Sequence, residues 1–164
     1  MTDQETAPVA VQQPAPPQAR PLRFDPSSCR TCQVCAMSCA ILKEGASRPA
    51  VARLNIYFDE FADADPISAR ICFHCADAPC LEACPVEAIY RHPRTGAVII
   101  DEDTCVGCMR CAQECPWDVP KRHPDRRKAI KCDLCSDRPE GPYCVSVCPL
   151  SGKALTYTPT RARQ

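Results

Sequence analysis

The chain has 164 residues, with 20 Lys plus Arg against 20 Asp plus Glu, a formal net charge of zero and 5% aromatic residues. That balance gives no sign of a nucleic-acid-binding surface, and the aromatic supply is thin for a large apolar core. The outlier is cysteine, with 16, a density that means either a secreted disulfide scaffold or an intracellular set of metal ligands.

The N-terminus separates these readings. Residues 1–20 carry no basic n-region, no sustained apolar run and no twin arginine, so no signal peptide is expected. No stretch approaches the roughly 20 apolar residues of a membrane span. The expectation is a cytoplasmic chain without direct membrane insertion, although export with a signal-bearing partner stays open. Residues 1–21, rich in Pro, Gln and Ala, bury too little apolar surface to offset their ordering entropy and read as a flexible tail.

From Cys29 onward four cysteine quartets punctuate the chain: Cys29, Cys32, Cys35 and Cys39; then Cys72, Cys75, Cys80 and Cys84; then Cys105, Cys108, Cys111 and Cys115; then Cys132, Cys135, Cys144 and Cys148. No cysteine is left over, and the unequal gaps make this a repeated site rather than a solenoid. Between the first two quartets, Arg53–Phe58 has the pattern of a short strand. After Cys84-Pro85, Val86–Ile89 suggests a helical turn, and Ala97–Ile100 suggests a strand after the Thr95-Gly96 turn. The remainder reads as loops wrapped around metal, and Arg161–Gln164 as a frayed end.

The third quartet is the bacterial ferredoxin run, C-x2-C-x2-C-x3-C-P, closed by Pro116. Three cysteines at this spacing let a looping backbone reach three corners of one cubane. Gly107 lets the chain pass close and aim N–H groups at sulfur. The fourth cysteine lies one helical turn beyond the third, points away, and in two-cluster ferredoxins ligates the other cluster. The second quartet has two extra residues before its third cysteine and ends in Pro85. The fourth has eight residues between Cys135 and Cys144 and ends in Pro149. The first keeps the full spacing, but Ala40 stands where the proline would be. A zinc ribbon would pair two C-x2-C knuckles across a loop without these third and fourth members. A disulfide framework suits neither the spacing nor the missing export signal.

Other polar and aromatic residues carry weaker signals. The cations Lys121, Arg122, Arg126, Arg127, Lys128 and Lys131 could be a solvated loop, a docking face or a patch that tunes a cluster. His74 lies inside the second quartet, where a sulfide hydrogen bond or a partner contact fits better than ligation. His92 and His123 read as solvated, and Asp59, Glu60, Asp63 and Asp65 as a polar loop. Trp117 is expected to pack over a cluster, with a partner interface as the alternative. Met37 and Met109 are expected to shield cubanes from water. No nucleophile–base pair, G-x-G-x-x-G or P-loop is present, so no flavin, nicotinamide or pterin site is expected.

The residues Asp103-Thr-Cys105-Val-Gly-Cys108, Cys115-Pro116-Trp117, Lys131-Cys132-Asp-Leu-Cys135, Ala52-Arg53-Leu54 and Pro142-Tyr-Cys144-Val-Ser-Val-Cys148-Pro149 give the chain a family likeness. It resembles the four-cluster iron–sulfur subunits of dimethyl-sulfoxide-reductase-type molybdenum and tungsten oxidoreductases. Similar subunits serve tungsten aldehyde oxidoreductase, formate hydrogenlyase and carbon monoxide dehydrogenase. The resemblance covers about residues 22–158. It implies an α+β fold of tandem bacterial-ferredoxin-like dicluster halves, loop-rich, with short strands and helices around four [4Fe–4S] clusters. The outer half would be 22–71 plus 121–158, the inner half 72–120, with 159–164 a C-terminal end.

Carried onto this chain, the family pattern gives one cluster Cys29, Cys32, Cys35 and Cys148, and a second Cys132, Cys135, Cys144 and Cys39. A third takes Cys72, Cys75, Cys80 and Cys115, and a fourth Cys105, Cys108, Cys111 and Cys84. The implied function is a non-catalytic electron relay between a catalytic subunit and a further carrier or subunit. A tungsten or molybdenum enzyme such as aldehyde oxidoreductase is the favoured partner. Carbon monoxide dehydrogenase, hydrogenase or formate hydrogenlyase remain alternatives, as does a structural zinc protein. Self-association into stacked filaments is a weaker expectation.

Overall fold

A computed structural model describes residues 18–63 and 65–159. Most of the expected tail (1–17) and the residues 160–164 lie outside the described chain. Short elements alternate with long connections, because metal-ligand spacing rather than apolar periodicity organises this sequence. The helices are α1 (Val34–Glu44), α2 (Pro79–Glu82), α3 (Arg110–Gln113) and α4 (Tyr143–Ser146), with a 3₁₀ turn at Pro49–Val51. The strands are β1 (Arg23–Phe24), β2 (Asn55–Phe58), β3 (Ile67–Arg70), β4 (Ile89–Arg91), β5 (Val98–Ile100), β6 (Lys121–Arg122), β7 (Ala129–Ile130) and β8 (Leu155–Thr156).

All the strands form two-stranded antiparallel ribbons: β2 with β3, β4 with β5, β6 with β7, and β1 with β8. The last joins segments from opposite ends of the chain, with Phe24 opposite Leu155. Packing of α1 on α4 and of α2 on α3 repeats the same outer-with-outer, inner-with-inner association.

The expected strands at 53–58 and 97–100 form as β2 and β5. The Thr95-Gly96 turn closes β4 onto β5, with Gly96 at φ 69° and its N–H donating to His92 O at 2.8 Å. The expected helical turn at Val86–Ile89 does not form. Glu87 takes a left-handed φ of 52° and Ile89 is already the first residue of β4, so the chain turns directly from the fourth cysteine into a strand.

The proline pattern decides helix length. In the last three quartets the short helix carries the third cysteine and stops before the fourth, where a Cys-Pro pair follows. Proline disfavours helical φ/ψ in the residue before it and lacks an N–H. In the first quartet Ala40 permits continuation, and α1 runs 11 residues through Cys35 and Cys39. It stops at Gly45 (φ 67°), whose N–H caps Ile41 O.

Two apolar clusters fill the interior, and cysteines belong to both. The larger joins Leu22, Ala36, Ala40, Val51, Leu54, Ile56 and Leu134 with Cys39, Cys132 and Cys144. The smaller joins Ala78, Ala88, Ile89, Val98 and Ala129 with Cys105 and Cys111. Ala19, within the segment expected as a tail, is buried in the larger cluster, so packing begins earlier than the composition suggested. Among the described residues no helix is long and apolar enough to cross a membrane.

Candidate metal centres

No disulfide joins any of the sixteen cysteines. Three cavities are each lined by four of them, with no cysteine shared. Cys29, Cys32, Cys35 and Cys148 line one. Cys72, Cys75, Cys80 and Cys115 line a second. Cys84, Cys105, Cys108 and Cys111 line a third. In each, three thiols come from one quartet and the fourth from another. The remaining four, Cys39, Cys132, Cys135 and Cys144, are all buried. They are mutually close: Cys39 and Cys135 act electrostatically on Cys144, and Cys144 on Cys132.

Neighbouring groups also interact electrostatically. Cys35 acts on Cys144, Cys72 on Cys132, and Cys80 on Cys111. The four groups therefore form a series: the Cys29 group, the Cys132 group, the Cys72 group and the Cys105 group. Only Cys32 and Cys108 are exposed among the sixteen cysteines, and they belong to the two end groups.

The backbone around the thiols repeats. The first cysteine of each quartet accepts an N–H from the residue two positions on: Thr31 to Cys29 at 3.4 Å, His74 to Cys72 at 3.4 Å, Gly107 to Cys105 at 3.4 Å and Leu134 to Cys132 at 3.5 Å. Those four donors have φ of 51°, 49°, 66° and 58°. A left-handed residue folds its N–H back onto the sulfur it has just passed. Only one of the four is glycine, so three side chains bear the steric cost of that conformation, as strained residues at functional sites do. Further N–H groups reach sulfur from Arg53 to Cys39 at 3.3 Å, Ala88 to Cys84 at 3.2 Å and Ala129 to Cys105 at 3.4 Å. Such bonds stabilise the thiolate and tune a cluster built on it.

Burial pushes the thiols of Cys35 and Cys111 up to about 11 and raises Cys132 well above the ordinary thiol range. The other thiols of each group add repulsion. Largely apolar walls that each carry four thiols suit a metal that takes thiolate sulfur and displaces the protons.

His74 and Lys131 join the wall of the Cys72 cavity. His74 is buried; its Nδ1 accepts the Val98 N–H at 3.0 Å, so the neutral ring carries its proton on Nε2. That Nε2 has no partner in the protein, as expected of a donor that belongs to a group seated in the cavity. Burial, then the Lys131 charge, lowers the His74 pKa to about 3, so the ring stays neutral at physiological pH. The Lys131 ammonium donates to Val98 O and to Cys132 O.

The rest of the cationic run is not a free loop. It folds back as the β6–β7 ribbon over the third quartet. The Arg122 guanidinium donates to Gly107 O at 3.1 Å and Lys128 Nζ to Cys105 O at 2.8 Å. Lys121 Nζ donates to Asn55 Oδ1 at 2.7 Å. Gly107 is held so tightly that a Cβ there would lie 2.3 Å from Arg127 O.

His123, read as solvated, is buried. Its Nδ1 accepts N–H groups of Asp125 and Arg126 at 3.1 and 3.2 Å, and Nε2 lies 3.4 Å from Glu44 Oε2. It belongs to an ionic cluster in which Arg53 pairs with Glu44 at 2.7 Å and with Glu102 at 2.5 Å. Arg126 closes the set by pairing with the same two carboxylates. His92 is half-buried, with its Nδ1 3.1 Å from Thr95 Oγ1. Trp117 lies 4.9 Å from Phe73, ring to ring; both line the Cys72 cavity and are exposed on their outer faces. Met109 lines the Cys84 cavity, whereas Met37 is half-buried with its sulfur accepting from Ser47 Oγ. The acidic stretch lies at the exposed end of the β2–β3 ribbon.

A small α+β protein with short ribbons, short helices and cavities each lined by four cysteines is an iron–sulfur protein of the ferredoxin class. The family model described as "4Fe-4S dicluster domain" matches residues 65–157, and the chain belongs to that family. It is 32% identical over 127 residues to the aliphatic sulfonate oxidoreductase polyferredoxin-like subunit of Pyrococcus furiosus, covering 77% of this chain and 70% of that one. It is 36% identical to the NrfC homolog of Haemophilus influenzae, covering 81% of this chain but only 61% of the relative's length. A subunit of the anaerobic dimethyl sulfoxide reductase of Haemophilus influenzae is 32% identical, with 83% of this protein and 72% of that subunit covered. The chain is thus an iron–sulfur electron-transfer subunit rather than a catalytic one, and its sixteen cysteines fit four [4Fe–4S] clusters.

Proposed function

We propose that the chain passes single electrons along four [4Fe–4S] clusters between a catalytic oxidoreductase subunit and a further carrier or subunit. The cysteine groups support the following ligand sets. One cluster sits on Cys29, Cys32, Cys35 and Cys148, the next on Cys132, Cys135, Cys144 and Cys39. The third sits on Cys72, Cys75, Cys80 and Cys115, and the last on Cys105, Cys108, Cys111 and Cys84. A cubane held by four cysteines has no open coordination position, so it carries electrons rather than binding substrate.

The observation that carries this reading is the series of neighbouring thiols, Cys35 with Cys144, Cys132 with Cys72 and Cys80 with Cys111. It supports a path through the two interior sites, with electrons entering and leaving where Cys32 and Cys108 reach the surface. The protein's part is to fix the spacing, supply N–H groups to sulfur and exclude water.

The finer reading is a cytoplasmic complex whose catalytic subunit is a tungsten or molybdenum enzyme, with aldehyde oxidoreductase the leading choice. The likeness to subunits of a sulfonate oxidoreductase and a dimethyl sulfoxide reductase supports such a complex without selecting its substrate. Anaerobic purification of the native complex, with metal and sulfide analysis, tests the whole proposal. The expected result is about sixteen iron and sixteen acid-labile sulfide per chain, together with a co-purifying metalloenzyme subunit. A colourless chain free of sulfide, or steady turnover by the chain alone, overturns it.

A further inference from the structure

Two buried polar residues, Arg53 and Lys131, bear a fixed positive charge among the described residues. Arg53 is neutralised by Glu44 and Glu102. Lys131, 5% exposed, has no ion-pair partner among the described residues; its ammonium is held by the carbonyls of Val98 and Cys132. Charge without a counter-ion in an apolar interior is costly, and such a residue persists when something nearby supplies negative charge.

The surroundings say where that charge belongs. Lys131 lines the cavity of Cys72, Cys75, Cys80 and Cys115 beside His74, whose proton-bearing Nε2 has no protein partner. The peptide of Val98 anchors both, accepting from Lys131 and donating to His74 Nδ1. Arg91 adds a second cation by donating to the carbonyls of Cys75 and Ala76. Asp133, whose carboxylate acts on His74, is already paired with Lys43 at 2.5 Å. Among the described residues, no buried cation without an ion pair lines the Cys29 or the Cys84 cavity.

We propose that Lys131 and the Nε2–H of His74 form a positive wall that raises the electron affinity of the cluster on Cys72, Cys75, Cys80 and Cys115, making this interior site a place where electrons reside on the path. This rests on the four-cluster reading. The step is a one-electron reduction of the oxidised cubane by an external donor; no bond forms or breaks. The added negative charge is stabilised by the fixed ammonium and by a hydrogen bond from imidazole to sulfur. Both residues act as positioning and tuning groups, not as ligands.

The test is an anaerobic reductive titration of the fully loaded chain, followed by electron paramagnetic resonance. The one-electron step that disappears in Cys75→Ser identifies the site. In Lys131→Met that step is expected to need a lower potential. At unchanged ambient potential its reduced-to-oxidised ratio should fall at least tenfold, equivalent to about 59 mV for one electron. Lys131→Arg should restore most of the shift, and His74→Phe, which keeps a ring but removes the donor, should produce a smaller fall at the same step. The proposal is overturned if Lys131→Met loads fully and leaves that step in place. It is also overturned if Met and Arg shift the step equally, or if the shift falls on another cluster. Should Lys131→Met fail to load, an unmoved step in loaded His74→Phe overturns it. A wild-type chain that carries no iron and sulfide sinks the four-cluster reading itself, which a full load with an unmoved step does not.

Discussion

Replacing Gly107 by alanine should disable one cluster site and leave the others intact. Gly107 has φ 66°, and a left-handed conformation costs an L-residue roughly 1–2 kcal/mol. A Cβ would meet Arg127 O at 2.3 Å and Arg127 C at 2.6 Å. These are backbone atoms of the β6–β7 ribbon, so no side chain can swing aside, and overpacking of this kind adds about 1–3 kcal/mol. The combined cost, about 2–5 kcal/mol, can be relieved only by moving the loop. That motion breaks the Gly107 N–H bond to Cys105 Sγ and the Arg122 bond to Gly107 O. Gly45→Ala is the control, because Gly45 has the same φ of 67° but nothing within 4 Å of a new Cβ. It should lose only the conformational cost of about 1–2 kcal/mol. Iron and acid-labile sulfide counts after anaerobic loading read the difference. Gly107→Ala should fall short by about one cubane's four iron atoms, and Gly45→Ala should load fully. Equal iron content and equal urea midpoints for the two variants would refute the reasoning.

Cys39→Ala should damage the cluster built on Cys132, Cys135 and Cys144 and spare the one built on Cys29; spectra in which only the Cys29 site is lost would contradict the cross-ligation. Arg53→Met should destabilise the chain by about 2–4 kcal/mol, because Glu44 and Glu102 keep only Arg126 and His123 near them, measured by urea unfolding of the loaded protein. Burial pushes the Glu44 carboxyl up, but Arg53, Arg126 and His123 outweigh it and hold it below the usual value. Its stabilisation is therefore complete above the unfolded carboxylate range and is lost as pH falls through the depressed folded value; the acid-side fall in stability should be shallower in Arg53→Met than in wild type. Since burial raises the Cys35 and Cys111 thiols to about 11, loading iron at neutral pH should release close to one proton per ligating cysteine, which a weakly buffered titration can count. Trp117→Ala should speed bleaching of visible absorbance in air, because Trp117 and Phe73 cover the Cys72 cavity; an unchanged rate would remove the shielding role.

The chemistry of this protein was legible in its sequence because cysteine spacing is a local property. Four quartets, three of them ending in Cys-Pro, point to the cofactor before any fold is considered. Even the length of α1 was present in the single change of proline to Ala40, although its consequence emerges only when the helix is seen running on to Glu44. The left-handed turns at Thr31, His74 and Leu134 were not legible, because those residue types disfavour the conformation, and only Gly107 carries a signal for it. Nor could local pattern tell that His123 and Lys131 are buried, since charged and polar residues in a basic run read as solvated until a ribbon folds them inward. Which thiols meet was a tertiary decision. Cys148 joins Cys29 because β8 pairs with β1 across almost the whole described chain, and Cys39 nears Cys144 because α1 packs on α4. Spacing sets the type of site within a dozen residues; long-range packing sets which cysteine groups are neighbours, because residues far apart in sequence meet only when the chain folds back on itself.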